Sequence, residues 1–220
     1  MKPNLKMNLK RLKRYIFTLM ICQWIIACQN ETPQLIEVQT ISQVVDFSPG
    51  LNAGFGQNQM PQIILGLPKA GGSNQGSLDV LSLGIGGEII LAFDQAIQDQ
   101  AGDDFWVFEN VFFKDDQADE SFIELAEISV SIDGINFITF PCSENDDWFC
   151  AGKMPSLPCD VTMDIKSGKC GGDAFDLSEM GVDAFQYIKI RDLGLGIGIK
   201  AIKPTAGFDL DAVVGVSQSI

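Results

Sequence analysis

Apolar and polar residues alternate in short stretches along most of this chain. Within Glu88–Phe93, Ile89, Leu91 and Phe93 fall on one face, and in Gln186–Asp192 Ile188 and Ile190 do the same. Successive side chains of a β-strand point to opposite faces of a sheet, so a period of two residues predicts strands with one buried face. The predicted strands are Leu35–Val45, Leu78–Leu83, Glu88–Phe93, Phe105–Glu109, Gln186–Asp192 and Leu210–Val216.

A hairpin and one short helix complete the predicted elements. Within Glu127–Phe140, β-branched residues alternate with serines and lead into Asp133-Gly134. This pair suits a two-residue type I′ turn, in which both residues take a positive φ. Asp176–Val182 indicates a helix, which Gly181 limits to one or two turns.

Many short strands separated by turn residues, in a chain with 22 glycines, are typical of an all-β domain. We therefore expect a single β-sandwich or jelly roll, with no internal repeat and no second domain. The expected organisation is a signal segment at residues 1–27, a lipidated tether and the first edge of the domain at 28–60, and the β-sandwich at 61–220.

The first 27 residues are typical of an export signal. Six basic and no acidic residues precede an apolar run from Tyr15 to Ile26. A membrane-spanning helix takes about 20 apolar residues, so this run is too short to be one. An ordinary secretion signal followed by an incidental cysteine is one interpretation.

The other interpretation is a lipoprotein signal, because Ile25-Ile26-Ala27-Cys28 resembles the lipobox of bacterial lipoproteins. The resemblance implies that Cys28 is acylated and becomes the first residue of the mature protein. Two or three acyl chains, such as palmitate, anchor a protein stably to a membrane. Gln29 after the cysteine implies sorting to an outer membrane, and we favour this interpretation.

The composition of the chain excludes some classes of binding partner and of catalytic site. Without residues 1–27, nine basic residues stand against 29 acidic ones, a net charge of about −20. Such a chain repels nucleic-acid phosphates, so nucleic acid is not an expected partner. The chain has no histidine, which excludes Ser-His-Asp and Cys-His catalysis and histidine-ligated zinc.

Four cysteines lie together in one segment: Cys142, Cys150, Cys159 and Cys170. An even number of cysteines in an exported protein predicts two disulfides, for which three pairings are possible. We favour Cys142–Cys150 with Cys159–Cys170, because sequential pairing closes two short loops without crossing. A zinc site is the alternative, although no C-x-x-C spacing supports it.

Six stretches occur in an order that resembles a family of bacterial cell-surface proteins and lipoproteins. They are Ser77–Gly84 (SLDVLSLG), Gly86–Phe93 (GGEIILAF), Val107–Asn110 (VFEN), Gly171–Leu177 (GGDAFDL), Ile190–Leu193 (IRDL) and Gly207–Val213 (GFDLDAV). The resemblance covers roughly Ile64 to Val216 and implies a surface location without a known activity. The last strand is also similar to that of galactose-binding-like jelly rolls, which include many carbohydrate-binding modules, often with a structural calcium near such acidic residues.

Four carboxylates are the candidate ligands of a calcium ion. Asp209 and Asp211 lie two positions apart on the last predicted strand, so we expect them on the same side. Like charges on one side repel unless a cation lies between them, and Ca²⁺ accepts six to eight oxygen ligands. Asp104 and Glu109 bracket another strand and complete the site if the two strands are neighbours. Alternatively, these carboxylates cap turns.

Trp148 is the candidate ligand-binding residue. It lies between Cys142 and Cys150, beside two aspartates, where an aromatic ring can stack on a sugar. Alternatively, its ring covers the sheet. The sequence therefore predicts a lipid-anchored module outside the cytoplasm that binds a glycan or a protein surface without catalysis. A carboxylate-based glycan hydrolase and a structural subunit of an envelope assembly are the alternatives.

Overall fold

The structure, a computed structural model, describes residues 36–69, 78–110, 112–113, 121–122, 124–142, 148–196 and 207–218. Its strands are β1 (Ile36–Ser48), β2 (Leu81–Ser82), β3 (Glu88–Gln98), β4 (Phe105–Glu109), β5 (Phe112–Phe113), β6 (Ser121–Phe122), β7 (Glu124–Ser131), β8 (Ile138–Thr139), β9 (Cys150–Ala151), β10 (Asp173–Phe175), β11 (Ala184–Gly196) and β12 (Asp209–Gln218). One α-helical turn, α1 (Val161–Asp164), accompanies 3-10 turns at Gln57–Gln59, Gln62–Ile64, Ile165–Ser167 and Leu177–Met180.

Ten of the strands form one curled antiparallel sheet in the order β10-β4-β12-β1-β3-β11-β7-β8, with β2 beside β12 and β9 beside β7, while β5 and β6 pair only with each other. The long strand β1 lies in the middle of this sheet and pairs with different strands along its two parts. Its residues up to Thr40 pair with β12, and from Ile41 onwards it pairs with β3. Register shifts within the second part introduce bulges, which bend a strand. We call β10, β4, β12, β2 and the start of β1 the A half, and the remaining strands of this sheet the B half.

The two halves enclose one apolar core. Phe105 of β4 reaches across to Phe185 of β11, with ring centroids 4.8 Å apart, and it stacks on Phe175 of β10 at 4.9 Å. Alternate residues of the B half, such as Ile188 and Ile190 of β11, are fully buried in the same core. The predicted all-β fold is confirmed, and its two halves around one core fit a single β-sandwich domain.

Strand β4 is buried on both of its faces, which the alternation rule does not anticipate. Trp106 and Phe108 point away from the main core and pack in a second cluster with Val161 and Ile165. Asp160 begins α1 by accepting the backbone N–H of Thr162 at 3.2 Å. This short helical segment, absent from the sequence prediction, covers the outside of the A half.

The predicted strand Leu35–Val45 is present as β1, Ile36–Ser48. The described compact unit starts at Ile36, and β1 has hydrogen-bonded neighbours on both sides. It is therefore a central strand and not the expected first edge. By contrast, only Leu81–Ser82 of the predicted strand Leu78–Leu83 is paired, and Leu78 is 76% exposed.

The hairpin turn also differs from the prediction. A six-residue loop, residues 132–137, joins β7 to β8. Asp133 does not take the positive φ of a type I′ turn. Its Oδ1 instead accepts the backbone N–H groups of Ile135 and Asn136 at 2.9 and 2.8 Å. These bonds stabilise a longer, side-chain-capped loop.

The predicted helix at Asp176–Val182 is a single 3-10 turn. Asp176 caps its start by accepting the N–H of Ser178 at 2.9 Å. Gly181 ends it in the left-handed conformation at φ 63°, as its position predicts.

Both expected disulfides are confirmed. Cys142–Cys150 and Cys159–Cys170 have Cα atoms 4.9 and 5.1 Å apart, normal separations for a disulfide. Disulfides persist in oxidising compartments, so they indicate a location outside the cytoplasm. None of the described helices has the length and apolarity to cross a membrane. Cys28 and the expected signal lie outside the described residues.

Candidate functional site

The structure does not gather the four predicted calcium ligands into one site. Asp104 precedes β4 and Glu109 ends it, so about 16 Å of extended chain separates them at roughly 3.3 Å per residue. Asp209 begins the neighbouring strand β12, next to Glu109. Asp211 lies two residues further along β12 in surroundings of its own.

Asp104 caps loops at its end of the sheet. Its Oδ1 accepts the N–H of Gln100 and its Oδ2 accepts the N–H of Leu177, both at 2.9 Å. One oxygen each of Asp99, Asp104 and Asp176 lie within 4.8 Å of one another. Since both Asp104 oxygens and one Asp176 oxygen already accept backbone N–H groups, the carboxylates of Asp104 and Asp176 have a structural role as loop and turn caps.

A β-bulge separates Asp211 from Asp209. Leu210 pairs with Glu109 and Ala212 pairs with the adjacent Phe108, so Asp211 is the extra residue of β12. Both Asp211 carboxylate oxygens accept the backbone N–H of Lys69, at 3.0 and 3.1 Å. The expectation that Asp209 and Asp211 share one side holds only for a regular strand, and it is wrong here.

Glu109, Asp209 and Glu124 form an acidic group, which we call the carboxylate cluster, in which Glu109 is buried and the other two are partly buried. Glu109 is only 2% exposed, and the backbone N–H of Asp209 donates to its carboxylate. Glu109 Oε2 and Asp209 Oδ1 are buried without a hydrogen-bond partner. Glu124 begins β7 in the B half and accepts the N–H of Gly207 at 3.2 Å.

The pKa values of all three carboxyls are raised. Burial and the nearby Asp209 hold the pKa of Glu109 well above its usual range. Burial, followed by Asp209 and Asp192, raises the pKa of Glu124 to about 7, and burial raises that of Asp209 to about 6. In the described part of the chain, every charged neighbour that contributes to these three shifts is a carboxylate.

Asp192 supports the cluster from β11. Its Oδ1 accepts the N–H groups of Gly86 and Gly194 at 2.7 and 2.8 Å, and its Oδ2 accepts that of Phe208 at 2.8 Å. One side chain thereby fixes three chain segments around the start of β12. Sequence reasoning missed both Asp192 and Glu124. The only sequence signal for Asp192 is that it falls in the stretch IRDL.

Trp148 lies at a surface groove of about 380 Å³. We call it the Trp148 groove, and its lining residues are Asp103, Trp148, Phe149, Lys153, Met154, Gly172, Asp173, Ala174, Asp176 and Glu179. Trp148 is 75% exposed, so the interpretation that its ring covers the sheet is wrong. The lining also includes Asp173 and Ala174 of β10.

The backbone that carries Trp148 is anchored by the residues that follow it. The next residue, Phe149, packs against the core and lies 5.8 Å from the ring of Phe140. Cys150 follows in β9, which pairs with β7 and carries the disulfide to Cys142. Lys153 Nζ donates to the carbonyl of Trp148 at 2.8 Å. An exposed indole is thus presented from a fixed position.

The groove combines this aromatic ring with acidic side chains. Burial, together with the neighbouring Asp176, raises the pKa of Asp103. Burial also raises the pKa of Asp173 to about 6, although Lys153 and three backbone N–H groups oppose the shift. The N–H groups of Gly152, Lys153 and Met154 all donate to Asp173 Oδ2. Asp173 therefore shapes the groove wall as a backbone anchor.

Gly172 of the groove requires a glycine. It adopts φ 74°, and a Cβ there would stand 2.7 Å from the ring of Phe108. A side chain at this position would clash with that buried ring.

Neither models of known protein families nor curated protein sequences match the chain. The resemblance to bacterial surface lipoproteins therefore stays a prediction.

Proposed function

We propose that this protein is a lipid-anchored binding module outside the cytoplasm whose Trp148 groove recognises a glycan. The observation that carries the proposal is the exposed Trp148 ring, presented from an anchored backbone at the rim of an acidic groove. Aromatic rings supply large contact areas, and an exposed one on a fixed backbone loses little conformational freedom on binding.

The chemistry of the groove suits a sugar better than other ligand classes. A pyranose ring offers C–H groups that pack on an indole face, and hydroxyls that donate hydrogen bonds. Asp103, Asp176 and Glu179 supply acceptors beside the ring. Hydrogen bonds to charged acceptors are stronger than those between neutral groups. The acidic groove disfavours anionic ligands, which selects neutral or amino sugars.

The anchor belongs to the same proposal. Cys28 carries the lipid and places the domain on an outer membrane or at the cell surface. Seven residues of sequence lie between Cys28 and Ile36, the first residue of β1. The support is the tetrapeptide before Cys28 in the sequence, together with the two disulfides, which indicate an oxidising compartment.

A glycan array tests the binding claim. The secreted Cys28→Ser variant, which keeps the whole domain, is applied beside the same protein with Trp148→Ala. Ile135→Ala is the matched control, since Ile135 is 80% exposed and is not among the groove residues. We expect defined glycan signals that Trp148→Ala removes and Ile135→Ala keeps. No signal on any neutral or amino glycan would contradict the proposal.

The same reagents separate the two alternatives. Reducing-sugar release from the bound glycans would favour a carboxylate-based hydrolase. Co-purification of the anchored protein with one fixed envelope partner, without glycan binding, would favour a structural subunit.

A further inference from the structure

We propose that Glu109, Asp209 and Glu124 bind one divalent cation of the calcium type, which ties the two halves of the sandwich together. This inference is independent of the glycan proposal. It rests on where the three carboxylates lie and on two buried oxygens without a partner.

Glu109 Oε2 and Asp209 Oδ1 are buried and accept no hydrogen bond, and Glu109 as a whole is 2% exposed. A buried polar group without a partner costs free energy, and an ionised carboxylate costs more than a neutral group. Buried charges in proteins are paired or coordinate metals. The carboxylate neighbours of Glu109 add repulsion and no compensation.

The three carboxylates come from both halves of the sandwich. Glu109 and Asp209 belong to the A half, whereas Glu124 opens β7 of the B half. β1 joins the two halves along the part of β12 that starts at Val214. Asp209, at the other end of β12, has β2 and not β1 as its neighbour. A cation bound there links the halves where the shared strand does not.

The oxygens of the carboxylate cluster favour a hard cation. The cluster offers only oxygen ligands, and no sulfur or imidazole. Hydrogen bonds from the N–H of Asp209, the hydroxyl of Ser82 and the N–H of Gly207 each reach one of the three carboxylates, while Glu109 Oε2 and Asp209 Oδ1 have no partner. The three do not all approach one another as closely as Asp99, Asp104 and Asp176 do. Closure on an ion therefore requires rotation of Glu124, which is only partly buried. Ca²⁺ accepts irregular oxygen geometry at 2.3–2.6 Å, whereas Mg²⁺ demands a near-ideal octahedron.

The experiment uses the Cys28→Ser protein, stripped with a chelator at pH 7.5, with calcium chloride as the probe. We expect one Ca²⁺ per chain by elemental analysis after dialysis. We also expect the melting temperature to rise by roughly 5–10 °C when calcium exceeds Kd a hundredfold, with a much smaller rise in magnesium. Glu109→Gln and Asp209→Asn should each weaken calcium binding at least tenfold, because a charged ligand is lost. Asp94→Asn, at an exposed carboxylate of β3, is the matched control.

Glu109→Gln also carries a second readout. In chelator it should raise the melting temperature, since it replaces a buried carboxyl crowded by other carboxylates with a neutral amide. A residue with a merely structural role would lower it. The proposal is overturned if the protein binds no calcium and melts alike in calcium and in chelator, as it would if the carboxyls hold a shared proton instead. It is also overturned if Asp99→Asn abolishes the calcium response while Glu109→Gln preserves it.

Discussion

The carboxylate of Asp104 accepts the backbone N–H of Leu177 at 2.9 Å, linking the start of β4 to a 3-10 turn 73 residues away. The same carboxylate accepts the N–H of Gln100, and the side chain has no exposed surface. One carboxylate thus satisfies two backbone donors that no strand pairing reaches.

Asp104→Ala should therefore destabilise the domain. It leaves two N–H groups without their acceptor, at a cost of about 1–3 kcal/mol for each that stays buried. Denaturant unfolding measures the loss, and Asp94→Ala, at an exposed site, should stay within about 0.5 kcal/mol of the parent. Equal unfolding midpoints for the Asp104 and Asp94 variants would contradict the capping role.

The stability of the metal-free protein should fall as the pH rises. Burial raises the pKa of Asp104, Asp173, Asp209 and Asp211 to about 6 and that of Glu124 to about 7. A carboxyl with a raised folded-state pKa binds more protons in the folded chain than in the unfolded chain. Its stabilising effect is complete below about pH 4 and is lost as the pH approaches 7.

Melting curves in chelator at pH 5.0 and pH 7.5 test this sign. We expect the higher melting temperature at pH 5.0, and a smaller difference in Asp211→Asn, which removes one contributing group. A melting temperature that increases steadily from pH 5.0 to 7.5 would show that the pKa values of these carboxyls are not raised in the folded protein.

The alternation of apolar and polar residues was sufficient to predict strands of the B half. The positions of the acidic side chains could not be predicted in the same way, because they depend on a bulge and on contacts between distant segments. In Glu88–Phe93 the burial of every second large residue depends only on local periodicity. Asp211 was misplaced because a bulge inserts one residue in β12, and a bulge depends on the strand that lies beside it. The sequence around Glu124 does not indicate its role, because its partner Gly207 and the other carboxylates of the cluster come from distant parts of the chain.

The strand β4 shows a similar limit. Its bounds, Phe105–Glu109, match the prediction, because four consecutive apolar or aromatic residues after the turn residues Gly102-Asp103-Asp104 are sufficient to indicate a strand. Val161 and Ile165 cover its outer face. This contact depends on tertiary packing, which the local sequence of β4 does not indicate. Residues 161–167 form a short helical segment, whose apolar side chains are buried by packing on that face.

The two disulfides should stabilise the domain to similar extents but affect the groove differently. Loops of 8 and 11 residues each correspond to about 2–3 kcal/mol in the chain-entropy model. Serine pairs at Cys142/Cys150 and at Cys159/Cys170 should both lower the unfolding free energy by that amount. Only the first pair closes the loop that carries Trp148, so only the first should weaken glycan binding. Equal loss of binding in both would show that the loss reflects global unfolding.

Lipidation at Cys28 is tested in cells. Cys28→Ser should abolish labelling by a palmitate analogue and move the protein from the membrane fraction to the soluble one. The reason is that a serine lacks the thiol that receives the lipid. Cys22→Ser, within the apolar run, is the control and should remain labelled. Undiminished labelling of the Cys28 variant would refute the anchor.

The most direct measurement of glycan binding at the groove is acrylamide quenching of tryptophan fluorescence. From Cys28 onwards the chain has two tryptophans, of which Trp106 is 2% exposed and Trp148 is 75% exposed. A neutral quencher therefore reports almost entirely on Trp148. We predict that a saturating glycan identified on the array lowers the quenching constant at least twofold, because a sugar covers the indole face. A glycan that binds fully while the quenching constant stays unchanged would place its site elsewhere and contradict the account.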